Sequence, residues 1–180
     1  FGSQGHDAGQ FRCVVEIQDQ VPPGHQRQHR LGRREETARF GQHRIAGLFD
    51  DAPERRGAAL LGYTVLGGRE ELLARRNMAD GAIVSIGAND VRTRVAAWLV
   101  ERGIALVSVV HPGTHIAREV MIGAGSVVMA GCVINSGAQV GCNVIINTSA
   151  TVDHDCLIGD GAHIAPGCRA AKPFLIASWC

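Results

Sequence analysis

The chain has 180 residues with an apolar fraction of 46%, which is typical of soluble proteins, and its 18 basic and 17 acidic side chains leave a net charge of +1. A chain of this length forms one domain or two small ones, and so small a net charge excludes a general attraction for nucleic acid or for an anionic membrane. No apolar run is long enough to cross a bilayer, so we expect a cytoplasmic protein without a membrane partner.

Residues 1–44 carry little regular pattern and make up the first predicted segment. A glycine-rich loop at residues 2–6 is of the kind that cradles phosphate through backbone N–H groups. Pro22, which is followed by a second proline, would break any helix there, and only residues 13–17 form an apolar run. We expect most of this segment to be poorly ordered.

Residues 45–110 predict a second unit in which strands alternate with helices. Apolar runs that end at turn residues indicate the strands, apolar side chains at helical spacing indicate the helices, and Gly103 is the expected C-cap of the second helix. Such alternation favours a small parallel α/β sheet, whose ligands bind at the carboxyl ends of the strands. The predicted strands cover residues 45–49, 63–66, 82–86 and 104–110, and the predicted helices cover residues 68–77 and 90–102.

A pair of histidines, His111 and His115, has the spacing of a helical metal site. Pro112 and Gly113 lie between them and forbid the helix that such a site needs. We therefore interpret residues 111–115 as a junction between two units and predict no metal there.

Residues 116–169 repeat with a period of six, which fits neither a helix nor an alternating strand. Each hexad opens with a β-branched aliphatic residue and has a small or slender fifth residue, while Gly, Asn and Asp crowd the turn positions. This pattern indicates one short strand and one turn per hexad, stacked as a solenoid with the first residue pointing into a narrow core. The nine first residues are Ile116, Ile122, Val128, Ile134, Val140, Ile146, Val152, Ile158 and Ile164.

Three cysteines, Cys132, Cys156 and Cys168, occupy the fifth position of a hexad. We expect them to be small buried residues in a reducing compartment. The sequence has no Cys-x-x-Cys pair, so it does not predict a structural zinc site.

The nine hexads resemble those of the hexapeptide-repeat acyltransferases, whose fold is a left-handed parallel β-helix with three hexads in each triangular coil. The sequence His154-Asp155-Cys156, with His163 nine residues after His154, is similar to a motif of the branch that acetylates sugars. That NeuD/PglD-like branch contains the sialic acid O-acetyltransferases and the bacterial UDP-amino-sugar N-acetyltransferases. The resemblance implies a Rossmann-like α/β subdomain, incomplete in this chain, followed by a left-handed parallel β-helix of about three coils.

The resemblance also implies a reaction. Acetyl-CoA is the expected donor, without a metal, and the acceptor is an amino or hydroxyl group of a nucleotide-sugar or of sialic acid. His154 is the implied general base, since the third position of a hexad projects outward at a turn and an imidazole titrates near neutral pH. Asp155 is implied to orient its ring, with Asp153 as a rival partner. His163 is implied to contact acetyl-CoA near the thioester carbonyl.

Substrate-binding residues are implied at the glycine-rich loop, at the carboxyl ends of two predicted strands and in one turn of the hexad region. These residues are Gly5, His6, Asp50, Asp51, Asn89 and Asn147. The first two match a phosphate-binding loop, the acidic pair matches side chains that contact the nucleoside, and the last is expected to line the sugar pocket. Two structural alternatives stay open, namely a turn cap for Asp51 and an inward-facing ladder of Asn147 with Asn135.

Apolar residues at outward positions of the hexads indicate that the chain forms an oligomer. Val127, Val133 and Ile145 are more apolar than a solvated face requires. We expect such residues to pack against other subunits of a homotrimer, because the resembled proteins are cyclic trimers with active sites between subunits.

Both ends of the chain depart from the family pattern, since residues 1–44 match it only at the loop and residues 170–180 contain no evident hexad. The predicted organisation is therefore a poorly patterned segment 1–44, an α/β unit 45–110, a β-helix 111–169 and a non-family tail 170–180. We expect the chain to be a fragment, or to be read in a shifted frame at its ends, which would leave the cofactor site incomplete.

Other functions remain open. The acceptor could be serine or another small molecule that is O-acetylated, or the chain could be an inactive truncated β-helix scaffold. A β-helical carbonic anhydrase would hold zinc on three histidines, but no third histidine has the expected spacing from His154 and His163.

Overall fold

The computed structural model describes residues 12–18, 39–40, 43–171 and 175–176, and it places them in an α/β unit followed by a parallel β-helix. Gly5 and His6 lie outside the described residues. The strands of the α/β unit are β1 Arg12–Gln18, β2 Arg39–Phe40, β3 His43–Asp50, β4 Ala59–Leu60, β5 Tyr63–Thr64 and β6 Gly81–Val84. The helices are α1 Arg69–Ala74 and α2 Asn89–Glu101, with short 3-10 helices at Pro53–Arg55 and Arg76–Met78. No helix of the described chain combines the length and the apolar content that crossing a bilayer requires.

The main sheet of the α/β unit has the strand order β2-β3-β1-β6, and every pair in it is antiparallel. The prediction of a parallel sheet is therefore wrong, because β1 lies between β3 and β6 and pairs with both. β1 comes from the segment that we expected to be poorly ordered, and its apolar run at residues 13–17 suits a strand. The predicted strand over residues 104–110 is reduced to a bridge at Leu106 and to Val109–Val110, which pairs with the β-helix instead.

Helix α2 packs on β6 and supplies much of the core of this unit. Its buried residues Val91, Val95 and Leu99 recur at helical spacing, and they share one apolar cluster with Phe49. The helix ends as predicted at Gly103, whose φ of 73° lies in the left-handed region that glycine tolerates.

The β-helix has three flat faces, each a parallel sheet of four two-residue strands. Face 1 consists of β7, β10, β13 and β16, face 2 of β8, β11, β14 and β17, and face 3 of β9, β12, β15 and β18. The predicted hexads supply β8 to β16, which makes about three coils, and the first residues from Val128 to Ile164 are buried in one apolar core. The strands are β7 Val109–Val110, β8 His115–Ile116, β9 Met121–Ile122, β10 Val127–Val128, β11 Val133–Ile134, β12 Gln139–Val140, β13 Ile145–Ile146, β14 Thr151–Val152, β15 Leu157–Ile158, β16 His163–Ile164, β17 Arg169–Ala170 and β18 Leu175–Ile176.

The β-helix continues beyond residue 169 in the described chain, so the prediction that residues 170–180 contain no hexad is wrong. β17 pairs with β14 and β18 pairs with β15, both in parallel. Ala170 follows Ile164 by six residues and is 7% exposed in the same core. The spacing therefore persists, although alanine replaces the β-branched residue by which we recognised each hexad.

The fifth-position cysteines divide into two groups. Cys132 and Cys156 are buried as expected, whereas Cys168 is exposed and that part of the expectation is wrong. Burial raises the pKa of the Cys132 thiol, so this side chain stays protonated and acts as a small apolar residue.

The fourth residue of each hexad has a positive φ, which turns the chain from one face to the next. Five of these nine residues are glycines, and the other four have φ between 54° and 62°. Residues eighteen apart stack along each corner of the β-helix, and there a residue with a side chain alternates with glycine. The three corner columns are Glu119-Gly137-Asp155, Gly125-Asn143-Gly161 and Gly131-Ser149-Gly167.

Two neighbouring residues of β15 test which hexad positions point into the core and which point outward. Ile158 is 3% exposed and points into the core, whereas Leu157 is 42% exposed. Ile158→Asp should lower the free energy of unfolding by more than about 4 kcal/mol, because it buries an unpaired carboxylate. Leu157→Asp should cost less than about 1 kcal/mol. Urea unfolding followed by circular dichroism measures both, and equal losses in the two variants would contradict the assignment.

Candidate active site

A cavity of about 390 Å³ lies between the α/β sheet and face 1 of the β-helix. One wall is formed by β3, β6 and the loop after β6, which includes Ser85. The other wall is formed by outward residues of face 1, among them Val127 and Ile145. These two residues therefore face the α/β unit of their own chain rather than a free oligomer surface, and of the three expected contact residues only Val133 lies on another face. We call this space the interdomain cavity.

The polar end of the interdomain cavity is a pair of side chains, His163 and Asn147. The Asn147 amide nitrogen lies 3.0 Å from His163 Nε2, and the Asn147 amide oxygen accepts the Thr148 N–H at 2.8 Å. The amide nitrogen can donate only if Nε2 is unprotonated, which leaves the proton of a neutral ring on Nδ1. Asn135 is exposed, so the inward ladder with Asn147 does not form.

His163 is held in its neutral form. Burial lowers its pKa, and the positive charge of Arg92 lowers it further. At neutral pH the ring therefore carries one N–H donor and no net charge, which suits contact with a polarised carbonyl oxygen.

Arg92 joins the two walls of the interdomain cavity. This residue of α2 is 1% exposed, and its guanidinium donates to carbonyl groups on both sides. On the α/β side NH1 donates to the carbonyls of Ile86 and Gly87, at 3.1 Å each. On the β-helix side Nε donates to the Asn143 carbonyl at 3.1 Å and NH2 to the Gly161 carbonyl at 2.7 Å.

The remaining contacts of Arg92 involve two further acceptors. NH2 also lies 2.8 Å from the Asn89 side-chain oxygen and 3.4 Å from the Ala162 carbonyl, next to His163. Desolvation lowers the pKa of Arg92. Sequence reasoning missed this residue, and the available signal was an arginine three residues before Val95 and seven before Leu99, on the buried stripe of the helix.

The second candidate group is the pair His154 and Asp155, in the turn between β14 and β15. His154 Nδ1 lies 2.9 Å from Asp155 Oδ2, and the two side chains are 56% and 57% exposed. Asp153 accepts the backbone N–H of His154 at 2.8 Å, so it is engaged with the main chain while Asp155 contacts the ring. With the Nδ1 proton donated to Asp155, Nε2 would present a free lone pair to solvent.

The two histidines lie on different sides of the coil. His154 is at the corner between faces 2 and 3, which is opposite face 1, whereas His163 lies on face 1. One chain therefore does not bring His154 and His163 together.

The acidic pair Asp50 and Asp51, at the carboxyl end of β3, stabilises the local structure. Asp50 is 4% exposed, accepts the Ala52 N–H at 3.0 Å and forms an ion pair with Arg55 at 3.3 Å. Asp51 accepts the Arg69 N–H at 2.9 Å at the start of α1 and forms an ion pair with the same side chain. The turn-cap alternative for Asp51 thus describes its contacts.

A smaller cavity of about 260 Å³ adjoins Asp50. It is lined by apolar residues of β3 and of the β4–β5 hairpin, together with Arg55 and Ser85. Ser85, in the loop after β6, lines this cavity and the interdomain cavity alike. Within the described residues no three His, Cys, Asp or Glu side chains converge as metal ligands.

The α/β unit and the three-faced β-helix define the fold as a parallel β-helix preceded by an α/β unit. Residues 137–171 match the family described as bacterial transferase hexapeptide (six repeats), and residues 35–99 match the PglD N-terminal domain. The expected fold class, including the left-handed β-helix, and the expected NeuD/PglD-like resemblance are confirmed. No curated protein matches the sequence.

Three solved structures are similar to this chain. PerB from Caulobacter crescentus, in complex with CoA and GDP-perosamine, is 37% identical with a TM-score of 0.58, over 60% of this chain and 53% of that chain. The acetyltransferase domain of PglB from Neisseria gonorrhoeae, in complex with acetyl coenzyme A, is 34% identical with a TM-score of 0.60, over 64% and 57%. WeeI from Acinetobacter baumannii is 30% identical with a TM-score of 0.61, over 68% and 56%. This chain thus spans little more than half the length of these relatives.

The role of Arg92 predicts a large effect on stability. Arg92→Met should lower the free energy of unfolding by about 3–5 kcal/mol, because it leaves several buried carbonyl groups without a donor. The matched control is Arg94→Met, two residues along the same helix, where the side chain is 62% exposed and its ion pair with Asp90 spans 3.5 Å. That control should cost less than about 1 kcal/mol. Chemical denaturation of both variants measures the difference, and similar losses would contradict the role of Arg92.

The lowered pKa of His163 predicts a pH dependence of stability. Above its ordinary value of 6.5 the ring is neutral in both states. As the pH falls below that value the unfolded chain takes up a proton that the folded protein refuses, so the free energy of unfolding falls until the folded pKa is reached. His163→Gln should remove this component of the acid-side decline. Urea titrations between pH 8 and pH 5 test it, and an unchanged decline in the variant would contradict the burial of a neutral ring.

Proposed function

We propose that this chain belongs to an acetyltransferase that moves the acetyl group of acetyl-CoA to an amino or hydroxyl group of a nucleotide-sugar or of sialic acid. The observation that carries the proposal is that Ser85 lines two neighbouring cavities, one beside Asp50 and one that ends at the neutral His163–Asn147 pair. A ligand with a nucleoside at one end and a sugar at the other fits that shape. PerB, which this chain resembles, is described with CoA and GDP-perosamine bound.

The nucleotide-sugar would lie along both cavities. The nucleoside would occupy the space beside Asp50 and Asp51, with Asn89 near the loop after β6 that lines both cavities. Gly5 and His6 would hold the phosphates. The sugar would enter the interdomain cavity, where the apolar walls fit its carbon skeleton and Asn147 can bond a hydroxyl group.

His154 would act as the general base. Its Nδ1–H bond to Asp155 leaves Nε2 free to take the proton of the acceptor as the amine or hydroxyl attacks the thioester carbonyl. The N–H of neutral His163 would stabilise the oxyanion that forms there. Collapse of the tetrahedral intermediate breaks the carbon–sulfur bond, and the thiolate of CoA takes the proton back from the imidazolium of His154.

The site would be completed by a second copy of the chain. Because His154 and His163 lie on opposite sides of one coil, both can reach one acetyl group only if they come from neighbouring subunits. Outward residues of face 3, such as Met121 at 60% exposure and Leu157 at 42%, are available for that contact. We propose a cyclic homotrimer, which presents three equivalent sites of this kind.

Release of CoA thiol tests the proposal. The chain is incubated with acetyl-CoA and, in turn, GDP-perosamine, a UDP-amino sugar, sialic acid and serine. Thiol release that depends on a nucleotide-sugar or on sialic acid supports the proposed acceptor, and serine as the preferred acceptor would replace it. Acetyl-CoA binding without turnover on any acceptor would contradict the proposed enzyme and favour the scaffold alternative.

Substitutions of His154, Asp155 and His163 should have distinct kinetic effects. His154→Ala should lower kcat by about 10²–10⁴-fold with little change in the KM for acetyl-CoA, because the ring acts on the proton of the acceptor. Asp155→Asn should give a smaller loss of kcat. His163→Ala should both raise the KM for acetyl-CoA and lower kcat, because the ring would contact the carbonyl oxygen in the bound substrate and in the intermediate. Steady-state kinetics separates these effects, and wild-type turnover in His154→Ala would remove the base from the proposal.

A further inference from the structure

Gly137 lies in the same corner column as Asp155, one coil earlier. The Asp155 N–H donates to the Ser136 carbonyl at 3.0 Å, which fixes the stacking of the two turns. A Cβ atom on Gly137 would overlap Asp155 Oδ1 and would lie 3.5 Å from Asp155 Cγ. The carboxylate of Asp155 therefore occupies the space that the missing side chain leaves.

Backbone conformation alone does not account for glycine at this position. Glu119, one coil earlier in the same column, has a φ of 62°, and Ser149 has a φ of 58°, so the fourth position accepts side chains. Gly131 has the same φ of 73° as Gly137, yet a Cβ there would meet only atoms of Ser149, the nearest being Oγ at 3.0 Å. What distinguishes Gly137 is the carboxylate beside it.

The position of that carboxylate decides its contact with the ring. Asp155 and His154 are both more than half exposed, so water competes for each of them. Oδ1 rests over Gly137 while Oδ2 lies 2.9 Å from His154 Nδ1, and the two oxygens move together as one rigid group. A methyl group on Gly137 would push Oδ1 away and would take Oδ2 out of hydrogen-bonding distance.

We propose that Gly137 is a positioning residue for the base, because its lack of a side chain lets the Asp155 carboxylate hold the His154 ring. This inference rests on the proposed function, in which His154 removes the proton of the acceptor. The carboxylate selects the tautomer with the proton on Nδ1 and leaves Nε2 unprotonated toward the acceptor.

The direct test is ¹⁵N NMR of the imidazole groups in the full chain, with the His154 signals assigned by their loss in His154→Asn. We expect the Nδ1–H tautomer to dominate in the wild type, and its share in Gly137→Ala to fall to that in Asp155→Asn. Gly131→Ala adds the same methyl group at the same φ without a carboxylate nearby, and it should keep the wild-type share. If Gly137→Ala kept the wild-type fraction of the Nδ1–H tautomer of His154, the proposal would be overturned.

A folding defect in Gly137→Ala would not end the test. Gly137→Asn adds a Cβ at the same point with a residue that enters the left-handed region readily. The same loss of the Nδ1–H tautomer is expected in that variant, and a wild-type share would again overturn the proposal.

Turnover separates this inference from the proposed function. With acetyl-CoA and GDP-perosamine, Gly137→Ala should lower kcat by between about 10- and 100-fold and leave the KM for acetyl-CoA unchanged. The double variant Gly137→Ala/Asp155→Asn should be no slower than Asp155→Asn alone, since both changes remove one interaction, and multiplied losses would overturn the proposal. A tautomer shift without a loss of turnover would uphold the role of Gly137 and would instead contradict His154 as the base.

Discussion

The buried guanidinium of Arg92 is the contact on which the arrangement of the two units depends. The guanidinium donates to six neutral oxygens, five backbone carbonyls and the side chain of Asn89, so its charge is balanced by dipoles. Such an arrangement tolerates little displacement, because each lost bond leaves a buried polar group unpaired. The same contacts set the width of the interdomain cavity, since they bind the loop at Ile86 on one side and the carbonyls before His163 on the other.

In the β-helix, the residues that stabilise the fold and the candidate catalytic residues occupy different positions. Its core is built from inward aliphatic residues at a strict period, while its corners carry the residues that the fold does not need for packing. His154 and Asp155 are on one such corner, where each occupies a turn and neither fills the core. A site on a corner is held by the coils on either side, which is why Gly137, one coil away, can decide where the Asp155 carboxylate lies. Function can therefore be added to this fold without a change in its core.

The sequence predicted the features that rest on local spacing. The hexads, the apolar stripe of α2 and the stop at Gly103 were readable because each follows from a fixed period or from one backbone preference. The position of β1 between β3 and β6 could not be predicted, since strand pairing joins segments that are distant in the chain. Ala170 was missed because we identified hexads by β-branched residues rather than by spacing. The sequence also showed that Val127 and Ile145 point outward. It did not show that they face the α/β unit, because that contact joins distant parts of the chain.

The most direct test of the proposed sugar site is to measure nucleotide-sugar binding after a bulky side chain has been placed in the interdomain cavity. Val127 and Val133 are both half-buried outward residues of the β-helix, but only Val127 lines that cavity. Isothermal titration calorimetry would compare GDP-perosamine with GDP on the wild type, on Val127→Trp and on the control Val133→Trp. Val127→Trp should weaken the binding of GDP-perosamine and leave that of GDP unchanged, whereas Val133→Trp should alter neither. Wild-type affinity of Val127→Trp for GDP-perosamine would contradict the placement of the sugar in this cavity.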